Sequence, residues 1–106
     1  MDINFIREKV RKQKYDLSSH AHRERQEEQI TISEIEQTLL AGDIIEKYPK
    51  DERGKSCLIA AKVENKSLHI VCGMRNNRLL IVTVYRPKPP TWKSYKERTK
   101  ELESRV

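Results

Sequence analysis

The sequence predicts an α+β fold, with helices packed on one face of an antiparallel β-meander of about four strands and a further helix at the C-terminus. Three observations predict it. Two well-marked helix signals, "DINFIREKVRKQK" and "TISEIEQTLLAGD", lie in the N-terminal half. Several β-branched segments joined by short turns follow residue 43. Helices precede strands rather than alternating with them, which segregates them from an antiparallel sheet. A chain of 106 residues suits one domain with one modest core. It divides into an N-terminal helix (1–14), a core (15–88) and a C-terminal helix (89–106).

Residues 3–13 read as a helix capped by Asp2, with Ile3, Ile6 and Val10 recurring on one face. "YDLS" (15–18) is short and extended. Ser18 or Ser19 then caps a helix running to about Glu28 whose only firmly apolar residue is Ala21, so it needs tertiary support. Thr31 and Glu34 form a capping box, Ile30 and Ile35 stand at the staple positions, and Ile32, Ile35 and Leu39 form a buried stripe. Gly42 ends that helix where a positive φ is expected. "DIIEKYP" leaves as a strand stopped by Pro49. Strands follow at "SCLIAAKVE" (56–64), "SLHIVCGMR" (67–75) and "RLLIVTVYR" (78–86), with turns near Asn65-Lys66 and at Asn76-Asn77. Pro87, Pro89 and Pro90 end the sheet, and "TWKSYKERTKELE" is a last, basic helix.

Charge separates along the chain. The net is +6, and residues 1–25, 26–46 and 47–106 carry +3, −6 and +9. The basic C-terminal half suits a polyanion such as RNA, or is ordinary solubility charge. No run approaches the ~18 apolar residues of a membrane span, and the N-terminus lacks the apolar centre of a secretory signal. Two cysteines are too few for a disulfide scaffold, and no CxxC or Cys/His ligand pattern appears. The expectation is a cytoplasmic, reduced protein with no metal and no cofactor.

Two-residue turns fix a register. They place Cys57, Ile59, Ala61, Val63, Leu68, Ile70, Cys72, Met74, Leu79 and Ile81 on one almost purely apolar face, diluted by Thr83 and Tyr85. Lys62 then faces His69, with Arg86 beside them on the other face and Arg75 and Arg78 at its far end. Trp92 and Tyr95 are candidates to cover part of that face. Its exposed part would be a cationic shelf containing an imidazole. Arg and Lys neutralise phosphate and stabilise developing charge, and His moves a proton. The catalytic candidates are His69, His20, Lys62 and Arg86; the RNA-binding candidates are Arg25, Arg75, Arg78 and Lys55. Blander readings stand beside these: His69 as a structural histidine, Arg75 and Arg78 as a solvated hairpin tip. Cys57 and Cys72, diagonal on the core face, are small core thiols or a redox pair.

The ordered motifs carry a resemblance. His20-Ala21, Ile30-Thr31, Gly42-Asp43-Ile44-Ile45, Tyr48-Pro49, Ser56-Cys57-Leu58, Leu68-His69-Ile70-Val71, Thr83-Val84-Tyr85 with Pro87, and Trp92 together resemble an uncharacterised bacterial family, domain of unknown function four-two-five-eight. The likeness covers about residues 15–100. That family is similar to the RelE/ParE toxin superfamily, in which helices pack against an antiparallel sheet that handles RNA or another target. The resemblance implies a toxin of a type II toxin–antitoxin pair, a metal-independent mRNA endonuclease, with a small antitoxin of the CxxC zinc-finger type encoded nearby and RNA or the ribosome as target. The alternative is a non-catalytic protein- or RNA-binding module of the same fold. In the endonuclease reading, Lys62 and Arg86 stabilise charge and His69 or His20 is the general base or acid. One departure stands out. Many relatives show Arg four and eight residues after the histidine matching His20, where this chain has Glu24 and Glu28 beside Arg23 and Arg25.

Overall fold

A computed structural model of the chain describes residues 1–49, 55–88 and Lys96. Helix α1 (Ile3–Arg11) begins where the Asp2 carboxylate accepts the Phe5 N–H at 2.9 Å, and it buries Ile6 and Val10. A three-residue strand, β1 (Tyr15–Leu17), leads to α2 (Ser19–Glu27), capped by Ser18 and burying only Ala21. Helix α3 (Ile32–Ala41) carries the reciprocal Thr31–Glu34 capping box and buries Ile35, Thr38 and Leu39. Ile32 is partly buried, and Ile30, just before the cap, is buried as well. Strands β2 (Asp43–Tyr48), β3 (Ser56–Val63), β4 (Lys66–Arg75) and β5 (Arg78–Tyr85) follow. The C-terminal helix expected over 89–106, and the cover expected from Trp92 and Tyr95, lie outside the described residues except for Lys96, which bonds Asp43.

The sheet has five strands in the order β1-β5-β4-β3-β2. The four long strands form the expected antiparallel meander. The fifth member, β1, pairs parallel to β5 through Tyr15↔Leu79 and Leu17↔Ile81. Both strands start from the same hairpin end, where Lys14 O accepts the Leu79 N–H, so they run in one direction. Helix α3 lies over β3 and β4, and α1 lies against α3 and β5. The Tyr15 hydroxyl ties β1 to α3 by donating to Glu36 at 2.6 Å. Burial and that carboxylate push the Tyr15 phenol up to about 12.

Two turns join the meander. Asn76 and Asn77, with φ of 53° and 61°, form the expected hairpin turn and set Arg75 opposite Arg78. The other turn is one residue earlier than its sequence suggests: Glu64 and Asn65 take the positive φ values, 52° and 64°. Partners therefore shift by two residues, which preserves the faces but changes the pairs. Cys57 stands directly opposite Cys72 rather than diagonal to it, and Lys62 stands opposite Ser67 rather than His69.

The larger correction lies inside β5. Cys72 pairs with Ile81 as expected, but Val71 pairs with Thr83 and Ile70 with Val84. One extra residue enters β5 here, a β-bulge, and every later side chain changes face. Val84 turns inward and is fully buried, while Tyr85 turns outward opposite His69. Arg86, expected beside His69, falls on the helix side. There it donates to Glu34 at 2.8 Å and to Ser67 O at 3.3 Å. The side chains of this ion pair are only 20% and 17% exposed. Arg86, then the Thr31 cap, hold the Glu34 carboxyl below its ordinary value.

Gly42 has φ −78° and ψ 176°, extended backbone open to any residue, so the expected positive φ is absent. Its requirement is space: a Cβ would meet Thr38 O at 2.5 Å and Ala60 O at 2.7 Å, both backbone atoms. Gly42→Ala should therefore cost ~1–3 kcal/mol as an overpacking change, read as a fall in the thermal midpoint with an unchanged circular dichroism spectrum. The Arg86–Glu34 pair sets an acid dependence. Because the folded Glu34 pKa is depressed from 4.5, its stabilisation is complete above that pH and is lost as pH falls through the lower folded value. Thermal melts from neutral pH into the acid range should show a shallower fall in Glu34→Gln than in the wild type; equal slopes would rule the pair out as the source.

Candidate functional site

Strand β1 covers only three residues of the outer β5 edge, Leu79 to Ile81. Beyond that point the edge is completed by side chains and by the start of α2. Ser18 N–H donates to Ile81 O at 2.9 Å, and Ser18 Oγ donates to Val82 O at 2.8 Å while accepting the Ala21 N–H. Glu24 then accepts the Val84 N–H at 3.1 Å, and Glu28 the Arg86 N–H at 3.0 Å. The spacing explains the match. Side chains four apart on a helix repeat every ~6 Å, and N–H groups two apart on a strand repeat every ~6.6–6.8 Å. A helix with almost no apolar face is thus held to the sheet by two carboxylates.

His20 stands on this scaffold. Its Nε2 lies 3.3 Å from Glu24 Oε1, the oxygen that also accepts from Val84, and its side chain is 59% exposed. Residues Asp16, Ser18, Ser19, Arg75, Asn76 and Arg78 line a hollow of about 310 Å³ between the start of α2 and the β4–β5 hairpin tip; His20 follows Ser19 in sequence but is not part of the lining. Arg78 grips Asp16 through Nε at 2.8 Å and a terminal nitrogen at 3.1 Å. That contact first, and the Arg75 charge after it, hold the Asp16 carboxyl below its ordinary value. Arg75 is exposed. Helix α1 ends at the same place: Lys9 donates to Asn77 O at 2.8 Å, followed by exposed Arg11, Lys12 and Lys14. These four cations were not singled out in the sequence, because nothing local to α1 says that its C-terminal end meets the distant Asn76-Asn77 turn.

The shelf expected on the other face does not assemble. His69 is fully buried, and its Nδ1 lies 3.1 Å from the Tyr85 hydroxyl, with the rings edge-on at 5.2 Å. Lys62 shares that face, exposed near the end of β3. Arg86 is on the opposite side, bound to Glu34. Of the four RNA-binding candidates, the structure brings Arg75 and Arg78 together. Arg25 bonds Ile30 O at 3.2 Å with its Nε buried and unbonded, and Lys55 is exposed on the far side of the sheet's centre, next to Cys57 in a separate recess. Among the described residues no cluster of His, Cys, Asp and Glu is arranged to hold a metal ion, and no helix is long and apolar enough to cross a membrane.

No curated protein and no solved structure gives a significant match to the chain. A family model does match, over residues 17–86, from the end of β1 to Arg86. This span contains α2, the glutamates that hold it, the hairpin arginines and the bulged strand. The chain therefore belongs to the family described as domain of unknown function (DUF4258).

Proposed function

We propose that this chain is the toxin component of a type II toxin–antitoxin pair, RelE-like in fold, acting as a metal-independent mRNA endonuclease. The observations behind the reading are the exposed His20 imidazole, 3.3 Å from Glu24 at the Val84 end of the β5 edge, and the hollow lined by Arg75 and Arg78 at the hairpin end of the same edge. His20 takes the proton of a ribose 2′-hydroxyl as that oxygen attacks the adjacent phosphorus, and Glu24 stabilises the imidazolium so formed. Arg75 and Arg78 neutralise the phosphate oxygens whose charge grows in the phosphorane, with Asp16 displaced from Arg78 by the incoming phosphate. The basic end formed by Lys9, Arg11, Lys12 and Lys14 binds the flanking backbone. The leaving 5′-oxygen is protonated by water or by the returning His20 proton. Lys62, His69 and Arg86 support the fold in this scheme. A small CxxC zinc-finger antitoxin encoded nearby would neutralise the protein by covering the basic end.

A second reading, a non-catalytic RNA- or protein-binding module, is favoured by one observation: the three side chains first expected to form the catalytic shelf are divided between two faces, with His69 inaccessible. Induced expression with RNA profiling separates the two. Wild-type protein should arrest growth and cut RNA, and His20→Ala should lower cleavage by ~10²–10⁴-fold while remaining folded. Arg75→Ala should weaken RNA binding and reduce its salt slope by about one. Intact RNA in cells arrested by the wild type would leave the binding module; no arrest and no RNA binding would remove the endonuclease and the RNA-binding module, leaving only a protein-binding module.

A further inference from the structure

We propose that Cys57 and Cys72 form a reversible thiol–disulfide site that reacts with a small anionic disulfide such as oxidised glutathione. This inference goes beyond the RNA reading and does not rest on it. Three residues line up across neighbouring strands on the helix-facing side of the sheet: Lys47 of β2 opposite Cys57 of β3, and Cys57 opposite Cys72 of β4. The two sulfurs are 3.8 Å apart and both cysteines are free. Facing residues on antiparallel strands have Cα atoms ~4.5–5.5 Å apart, within the ~4.4–6.8 Å that a disulfide spans. Rotation about the two Cα–Cβ bonds is the main motion needed to join them.

Both cysteines are buried, at 1% and 0% exposure, and they differ in position: Cys57 lies next to the start of β3. Cys57 forms part of a recess of about 220 Å³ whose other lining residues include Lys47, Pro49, Lys55 and Ser56. Cys72 belongs with Cys57 to the core cluster but does not line the recess, and it pairs with Ile81 on the next strand. The hydrogen bond with Cys72, aided by the Met1 ammonium and then the Lys47 charge, lowers the Cys57 pKa, whereas the same bond and burial raise that of Cys72. Cys57 is therefore the entering nucleophile and Cys72 the resolving thiol. Lys47 and Lys55 supply positive charge at the entrance, which matches the carboxylates of a glutathione tripeptide. Opening at the start of β3, a strand end, gives the disulfide its path.

The chemistry balances in two exchanges. The Cys57 thiolate attacks one sulfur of the external disulfide; that S–S bond breaks, a Cys57 mixed disulfide forms and one thiolate leaves. Cys72 then gives its proton to solvent and attacks the Cys57 sulfur, and the second external thiolate leaves. Two protein thiols are oxidised by two electrons, and one disulfide is reduced to two thiols.

The test uses the full chain, folded, in oxidised glutathione, quenched with acid and mapped as non-reduced peptides. The expected product joins Cys57 to Cys72, and dithiothreitol returns both thiols. Cys72→Ala should stop at a glutathione adduct on Cys57, and Cys57→Ala should leave Cys72 unmodified. Lys47→Ala with Lys55→Ala should slow the reaction several-fold with oxidised glutathione but not with neutral hydroxyethyl disulfide. The wild-type map keeps the test decisive if a variant fails to fold. Thiols that stay free in the folded protein, an adduct appearing first on Cys72, or a rate equal to that of global opening by hydrogen exchange would each overturn the proposal.

Discussion

The structure depends on how the outer edge of β5 is satisfied. Sheet edges present backbone N–H and C=O groups that must find partners, and an unpartnered edge invites pairing with other chains. Strand β1 supplies partners only as far as Ile81. From Val82 to Arg86 the partners are Ser18, Glu24 and Glu28, the two caps of one helix and a residue within it. Hydrogen bonds to charged groups contribute roughly 1.5–3 kcal/mol each. Two of them outweigh the helix's single buried alanine as the reason α2 sits where it does. They also account for glutamates at these two positions, since a backbone N–H needs an acceptor there and an arginine side chain could only donate.

The bulge in β5 belongs to the same arrangement. Past Ile81 the strand has to direct the N–H groups of Val84 and Arg86 toward α2 while delivering Val84 to the core and the Arg86 side chain to Glu34. A regular strand continuing from Ile81 would bury Thr83 and Tyr85 and leave Val84 outside. One inserted residue corrects the parity. The exchange buries an apolar valine, forms a sheltered ion pair, and leaves Tyr85 opposite His69, where its hydroxyl satisfies a ring nitrogen that is otherwise shut away from water. Glu34 in turn belongs to the capping box, so the C-terminal end of β5 and the start of α3 are secured through one carboxylate.

What the sequence made legible follows from the range of the interactions involved. Asp2, Ser18, the Thr31–Glu34 box and the Asn76-Asn77 turn act within four residues, and each appears where its residues suggest. The core faces of β3 and β4 were legible too, except at Met74, which was expected in the core and is exposed near the hairpin tip. Misplacing the Glu64-Asn65 turn by one residue moves partners by two, which a period of two does not register. The bulge was not legible, because its cause lies in α2 and α3, some fifty residues away in sequence. The parallel pairing of β1 and the meeting of α1 with the hairpin tip are equally non-local. The candidate site followed suit. Arg75 and Arg78 were paired correctly across their turn, whereas grouping Arg86 with His69 assumed an unbroken strand. Gly42 was recognised as special for the wrong reason, since its constraint comes from a carbonyl on β3.

The placement of His20 shows why fold and chemistry are inseparable in this molecule. An exposed histidine–glutamate pair one helical turn apart contributes only ~0.3–0.5 kcal/mol, too little to hold an imidazole in one orientation. The bond from Val84 N–H to Glu24 is several times stronger and fixes the carboxylate before His20 reaches it. One oxygen atom, Glu24 Oε1, therefore both completes the β5 edge and lies against the imidazole, 3.3 Å from Nε2. Converting Glu24 to alanine would disturb strand, helix and histidine together. Glu24→Gln keeps a carbonyl acceptor for Val84 while removing the charge that would stabilise an imidazolium. That substitution separates the two duties of the oxygen, because the structural one needs only a lone pair and the chemical one needs the negative charge.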